Sequence, residues 1–229
     1  MPAVHRTARE RARAEVTAAI KDEARTQLAK VGAEALSLRA VARQLGMVSS
    51  ALYRYFPCKD DLLTALIIDA YNSLGAAAEA AAGTETRPRA RWRATCHAIR
   101  AWARANPHEY SLIFGSPIPG YAAPADTITP ASRVPLALIA VVTDAVEQDL
   151  ISSPPAALSA ELEAQAADIA TRFAPGVPSP VLARLFVAWS QLFGMLSFEL
   201  TGQFTNSLEP ADAFFGYAVD EMAAFVGLG

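Results

Sequence analysis

Cysteine, histidine and charge are all scarce in this chain. Of its 229 residues two are cysteine, three are histidine and 19% are charged. Cys58 and Cys96 supply neither a disulfide framework nor a metal-ligand spacing, so both are read as reduced thiols and no metal is expected. His97 and His108 stand apart, and no GxSxG, HExxH, phosphate loop or catalytically spaced acid pair occurs. An enzyme, or a protein with a bound cofactor, is therefore not expected. β-Branched runs are short whereas alanine is abundant, which favours helix over sheet. The most apolar long segment, Val181–Leu200, is interrupted by Arg184, Gln191 and Glu199 and makes a poor membrane span. The first fifteen residues, MPAVHRTARERARAE, lack the apolar stretch of a signal peptide. With 52% hydrophobic residues there is ample material for a core, and a soluble, cytoplasmic, all-α protein is expected.

What charge there is lies unevenly. Residues 1–64 hold 11 Lys+Arg against 7 Asp+Glu, a net of +4, while residues 65–229 hold 9 against 16, a net of −7. A basic head on an acidic body turns the head toward phosphate. Arg6, Arg9, Arg11 and Arg13 tilt the head further toward a DNA-tracking arm.

The most informative stretch is Leu36–Phe56, LSLRAVARQLGMVSSALYRYF. Ser37 stands at an N-cap position, and Leu38, Val41, Ala42 and Leu45 follow at helical spacing. Gly46 suits a left-handed position just past the end of that helix. A second helix begins near Ser49 or Ser50, with Leu52 and Phe56 spaced i, i+4 to dock on the first. Ser49, Ser50, Ala51, Tyr53, Arg54 and Tyr55 are then left to point outward, small and polar at the tip, aromatic and basic beyond it. A helix entering a DNA major groove needs that arrangement.

The motif resembles the DNA-binding domain of the tetracycline-repressor (TetR) family of bacterial regulators. The likeness spans residues 14–74, with the helix-turn-helix at 37–56. It takes in a preceding helix with Ile20, Ala24 and Leu28 on one face, and the link FPCKDDLL at Phe56–Leu63. The resemblance implies an N-terminal three-helix DNA-binding domain and, over 75–229, a larger helical domain for ligand binding and dimerisation. It assigns DNA contact to Ser37, Arg39, Ser49, Ser50, Ala51, Tyr53, Arg54, Tyr55 and Lys59. Arg54 suits either guanine or phosphate, and Tyr53 and Tyr55 either phosphate or packing. One departure concerns the recognition helix, where Val48 replaces the usual serine or threonine cap. Ser49 is expected to take over the cap, starting the helix one residue later. A second is Phe193 before Gly194, where related C-terminal domains often carry histidine.

Beyond the head, the apolar spacing predicts helices over 60–82, 89–105 and 107–114. A proline-rich loop is expected over 115–135, long enough to be functional or mobile. Further helices are expected over 136–151, 156–173, 181–203 and 210–226. The last two form a pair whose broad apolar faces (Leu185, Leu192, Leu196 and Leu200; Phe214, Ala218, Met222 and Phe225) are read as a homodimer interface. The stretch Trp189–Phe204, WSQLFGMLSFELTGQF, resembles C-terminal domains common in the family. Trp92, Trp102, Tyr110, Phe114, Trp189 and Phe193 are the candidate pocket residues. The reading is of a repressor that binds a palindromic operator as a homodimer and is released by a small, largely apolar effector. A helical small-molecule-binding protein with degenerate DNA recognition is the alternative.

Overall fold

The computed structural model describes residues 7–152 and 157–229. Arg6 and the first residue expected of the 156–173 helix lie outside the described residues. The described residues form ten α-helices: α1 Ala8–Val31, α2 Leu38–Gln44, α3 Ser49–Leu52, α4 Lys59–Ala82, α5 Pro88–Ala105, α6 Pro107–Phe114, α7 Ile128–Glu147, α8 Ala160–Phe173, α9 Ser179–Leu200 and α10 Asp212–Val226. The all-α fold expected from the sequence is the fold observed.

The chain separates into two compact units. One comprises residues up to Tyr71 together with Asn106–Ile128, the other Asn72–Ala105 with Thr129–Gly229. Helix α6 and the loop after it thus group with the head, although the sequence reading set them with the C-terminal domain. Helix α4 runs through the division between Tyr71 and Asn72.

In the first unit, Thr7 and Glu10 form a reciprocal capping box that starts α1, and Gly32, at φ 75°, ends it. Ile20 and Ala24 of α1 meet Val41 and Ala42 of α2, Leu52 of α3, and Leu62, Leu63 and Leu66 of α4 in one buried cluster. Ion pairs tie the same helices from outside: Arg25 bonds Asp22, Asp69 of α4 and Glu109 of α6, and Lys21 also reaches Asp69.

The second unit is organised round a charge inside the protein. Arg100 of α5 is buried and makes a bidentate pair with Glu199 of α9, at 2.8 and 2.7 Å. It also donates to Asp212 of α10 at 2.8 Å and lies over the Phe215 ring. A planar guanidinium with five donors suits three helices converging on one point, as a lysine would not. Composition alone would let α9, and the stretch ending in α7, cross a membrane, yet each buries a face in this unit.

Where the sequence reading kept loop to Pro135, helix α7 already begins at Ile128. Pro130 falls in the first turn, where an N–H has no intrahelical acceptor to lose, and Pro135 is carried inside the helix. Arg133 anchors that segment, donating to both carboxylate oxygens of Glu79 and to Asn72. Helix α4 passes so close there that a Cβ added to Gly75 would stand 2.6 Å from the Arg133 Cβ. Gly75→Ala should therefore destabilise the protein by about 1–3 kcal/mol through overpacking, although alanine normally favours a helix over glycine by about 1 kcal/mol. Thermal unfolding of the variant checks the sign: a raised Tm would mean that the two helices can part freely.

Candidate nucleic-acid interface

The second helix of the turn motif is only four residues long, and a helix of that length has no stability of its own. Its placement comes from neighbours. Ser37 caps α2, its hydroxyl accepting from the Ala40 N–H at 3.5 Å. Gly46 adopts φ 65°, a left-handed conformation that reverses the chain after α2. The Met47 N–H then returns to the Ala42 carbonyl at 2.9 Å, closing the corner. Leu52 has no exposed surface at all and Phe56 is also buried, so these two set the rotation of α3.

With that rotation fixed, Val48, Ser49 and Ser50 are exposed and Ala51 is half-exposed at the tip. Tyr53, Arg54 and Arg39 are exposed, while Ser37, Tyr55 and Lys59 are half-buried. The nine residues assigned to DNA by resemblance thus lie on or beside α2 and α3, except Lys59, which opens α4. Lys59 spends one donor inside the protein, its Nζ bonding the Glu34 carbonyl at 2.5 Å. Two of its three hydrogens remain for another acceptor. Tyr55 packs against the head core, with the Arg13 guanidinium 5.1 Å from its ring centre. Arg13 also donates to the Arg54 carbonyl at 3.4 Å, joining the N-terminal turns of α1 to the segment after α3.

The expectation that Ser49 takes over the cap is corrected. Val48 is the N-cap, and no side chain closes the N-terminus. Its carbonyl already accepts from the Ala51 N–H at 2.9 Å, so Ser49 is the first helical residue and its hydroxyl is not placed to cap.

In the second unit, Trp92 is wholly buried with its indole N–H bonded to the Val219 carbonyl at 3.1 Å, and so serves the core. The Trp102 N–H donates to Ser73 Oγ at 2.9 Å. Trp189 stacks edge-on with Phe186 and Phe193, and its own N–H is buried without an acceptor among the described residues. It faces a narrow crevice lined also by Pro135, Leu138, Ile139 and Leu185. Tyr110 and Phe114 pair with one another in the first unit, where Phe114 also meets Tyr71. A separate cavity of about 750 Å³ runs between α8 and α9, lined by Leu158, Leu162, Ala166, Ile169, Phe186 and Val187 among others, and none of the six candidate aromatics lines it.

The eight residues read as a dimer face divide in two. Leu185, Leu192, Leu196, Ala218 and Met222 are buried within the chain itself. Leu200 and Phe214 are half-buried, and only Phe225 is exposed. The outward rows of the same helices are Val187, Gln191, Gly194 and Phe198 on α9, and Ala213, Tyr217 and Ala224 on α10. Phe198 is 56% exposed and Tyr217 is 64% exposed.

Residues 20–66 match the family model for bacterial regulatory proteins of the tetR family, and residues 92–222 match the tetracyclin repressor-like C-terminal domain. HTH-type transcriptional regulators of Mycobacterium bovis (Mb1846) and Mycobacterium tuberculosis (Rv1816) are each 35% identical over 206 residues, covering 84% of both chains. The crystal structure of the candidate regulatory protein SCO4313 is 38% identical, with a TM-score of 0.78 over 95% of this chain and 100% of that one. PfmR, a TetR family transcriptional regulator from Thermus thermophilus, shares the fold at 21% identity and TM-score 0.59, covering 92% of this chain and 98% of its own.

The local geometry separates two substitutions that stand within one helical turn. Ser49→Ala should change stability by no more than about 0.5 kcal/mol, as at other exposed sites. Leu52→Ala should cost about 2–5 kcal/mol and loosen the head first. Urea titration measures both, and a Ser49→Ala loss above about 1 kcal/mol would restore a capping role to that hydroxyl.

Proposed function

The chain belongs to the tetR family of bacterial transcriptional regulators, and on that premise we propose that it binds an approximately palindromic operator as a homodimer and represses until a small apolar effector releases it. The observation that carries DNA recognition is the outward set fixed by Leu52: small residues at the tip of α3, with Arg39, Tyr53, Arg54 and Lys59 around it. Tip residues suit base edges, and the flanking cations and hydroxyls suit phosphate, which fixes register without reading sequence. The charge division supports the same orientation, with the net positive residues concentrated in 1–64. Such a protein works in the cytoplasm, beside the DNA.

Two helical glycines support the homodimer. Gly194 of α9 and Gly216 of α10 sit in helix interiors, where glycine costs about 1 kcal/mol relative to alanine. A Cβ at either would meet no other atom within 4 Å, so nothing inside the chain requires its absence. A second copy crossing there closely would require it. The exposed Val187, Phe198 and Tyr217 would then be covered on a twofold axis, in a four-helix arrangement.

The effector is read as apolar because the cavity of about 750 Å³ between α8 and α9 is walled mainly by apolar side chains, Leu162, Ile169, Phe186 and Val187 among them. A ligand that binds the non-competent arrangement of the heads more tightly than the competent one would release the DNA.

Selection of duplex DNA from a random pool at about 0.15 M salt tests the whole reading, because non-specific phosphate binding is partly screened there. Enrichment of a palindrome supports it; recovery of unenriched DNA, with a control regulator of the family succeeding alongside, favours a small-molecule-binding protein with degenerate DNA recognition. On the enriched duplex, Lys59→Ala should weaken binding alike on all sequences and lower the salt slope by about one. An unchanged slope would confine Lys59 to its bond with Glu34. Gly194→Leu should give monomers by sedimentation and lower operator affinity by about 10²–10⁴-fold through loss of the paired contact. A variant that stays dimeric would move the interface away from α9.

A further inference from the structure

We infer that Val48, with Ala51 beside it, reads thymine C5-methyl groups in the major groove, an inference that rests on the DNA-binding reading. Val48 is 70% exposed, the most exposed of the large hydrophobic side chains among the described residues. It sits at the N-terminus of the recognition helix, the end whose residues reach base edges in a helix-turn-helix. Inside the protein its side chain does nothing: it neither caps the helix nor joins the head core. A serine or threonine there would serve the fold better.

The remainder of the tip narrows the choice of contact. Residues 47–51 read Met, Val, Ser, Ser, Ala, with no arginine, lysine, asparagine or glutamine. The bidentate pairings that single out guanine or adenine are therefore unavailable at the tip. Serine hydroxyls both donate and accept, so Ser49 and Ser50 discriminate poorly among bases. Arg54 lies beyond the C-terminal end of α3, where its carbonyl is engaged by Arg13. At the tip itself, what is left for discriminating direct readout is apolar contact, and among the base edges of the major groove only thymine presents a methyl group. Val48 and Ala51 are three residues apart and so share one side of the first helical turn, Val48 exposed and Ala51 half-exposed.

The test uses the full-length protein and the duplex enriched from the random pool. Each thymine is replaced in turn by deoxyuridine, symmetrically in both half-sites, which removes one methyl per half-site and alters no hydrogen bond. At one or two positions per half-site, affinity of the wild type should fall about three- to fivefold per methyl, or roughly 10- to 25-fold for the symmetric pair. Val48→Ser, which supplies a better N-cap and so should fold at least as well, should bind thymine and deoxyuridine duplexes equally. Its salt slope should not change, because no phosphate contact is lost. A wild type indifferent to every thymine methyl would overturn the inference while leaving DNA binding intact. So would a Val48→Ser protein that keeps the full deoxyuridine effect. If no duplex is enriched at all, the DNA-binding reading falls and the inference falls with it.

Discussion

Everything the head presents to its surroundings hangs on the burial of one leucine. Helix α3 contains one turn, too little for its own hydrogen bonds to hold it, and its lone buried residue is Leu52. Leu52 is enclosed by side chains from α1, α2 and α4, and Phe56, one turn further on, anchors the exit. A helix rotates by about 100° per residue, so exchanging the buried position for its neighbour would carry Ser49, Ser50 and Val48 away from their present face. The functional surface is in this sense a by-product of core packing. The outward residues of α3 need not hold it in place, and are left free in type.

The second unit solves a different problem, that of joining long helices through polar side chains. Arg100 is buried against the Glu199 carboxylate and the Phe215 ring, and reaches outward to the exposed Asp212, each partner from α9 or α10. Removing one partner from such a group strands a charge in a poor solvent, so the pairing specifies which helices meet. Arg133 joins α4 and α7 from a more exposed position, at the point where Gly75 lets the backbones approach. Both arginines bind bidentately, which fixes angle as well as distance.

The head was legible in the sequence because its signals are local. A serine at a cap, a glycine at a corner and an i, i+4 pair of large apolar residues are all read within one turn of the chain, and Ser37, Gly46, Leu52 and Phe56 stand accordingly. Three features were not legible. The start of α7 was hidden because Pro130 and Pro135 look like loop residues, and only the partners of Arg133 show why a helix survives there. The outward faces of α9 and α10 were not legible because apolar periodicity marks the most hydrophobic side, which the chain largely buries in its own core, whereas the outward rows of Val187, Phe198 and Tyr217 are interrupted by Gly194 and Gly216. The Arg100 cluster draws on residues 99 and 112 positions away, a separation at which sequence spacing carries no information.

These two halves bear on each other through specificity. A tip built from valine, alanine and two serines has little with which to tell bases apart, since each contact it can make is either degenerate or worth about a methyl group. A genome offers about 10⁶–10⁹ competing sites, and discrimination per base pair adds roughly independently. One such head therefore cannot isolate a site; doubling the number of base pairs read squares the discrimination without altering any single contact. In the proposed homodimer the requirement falls on the other unit, which would have to hold two heads at about 34–36 Å, the spacing of successive major grooves on one face of the duplex. An outward face broken by glycines is a surface two copies could share closely, and under the proposed homodimer that contact would offset glycine's cost to each helix. The weakness of the tip and the bareness of that face are thus two sides of one physical constraint.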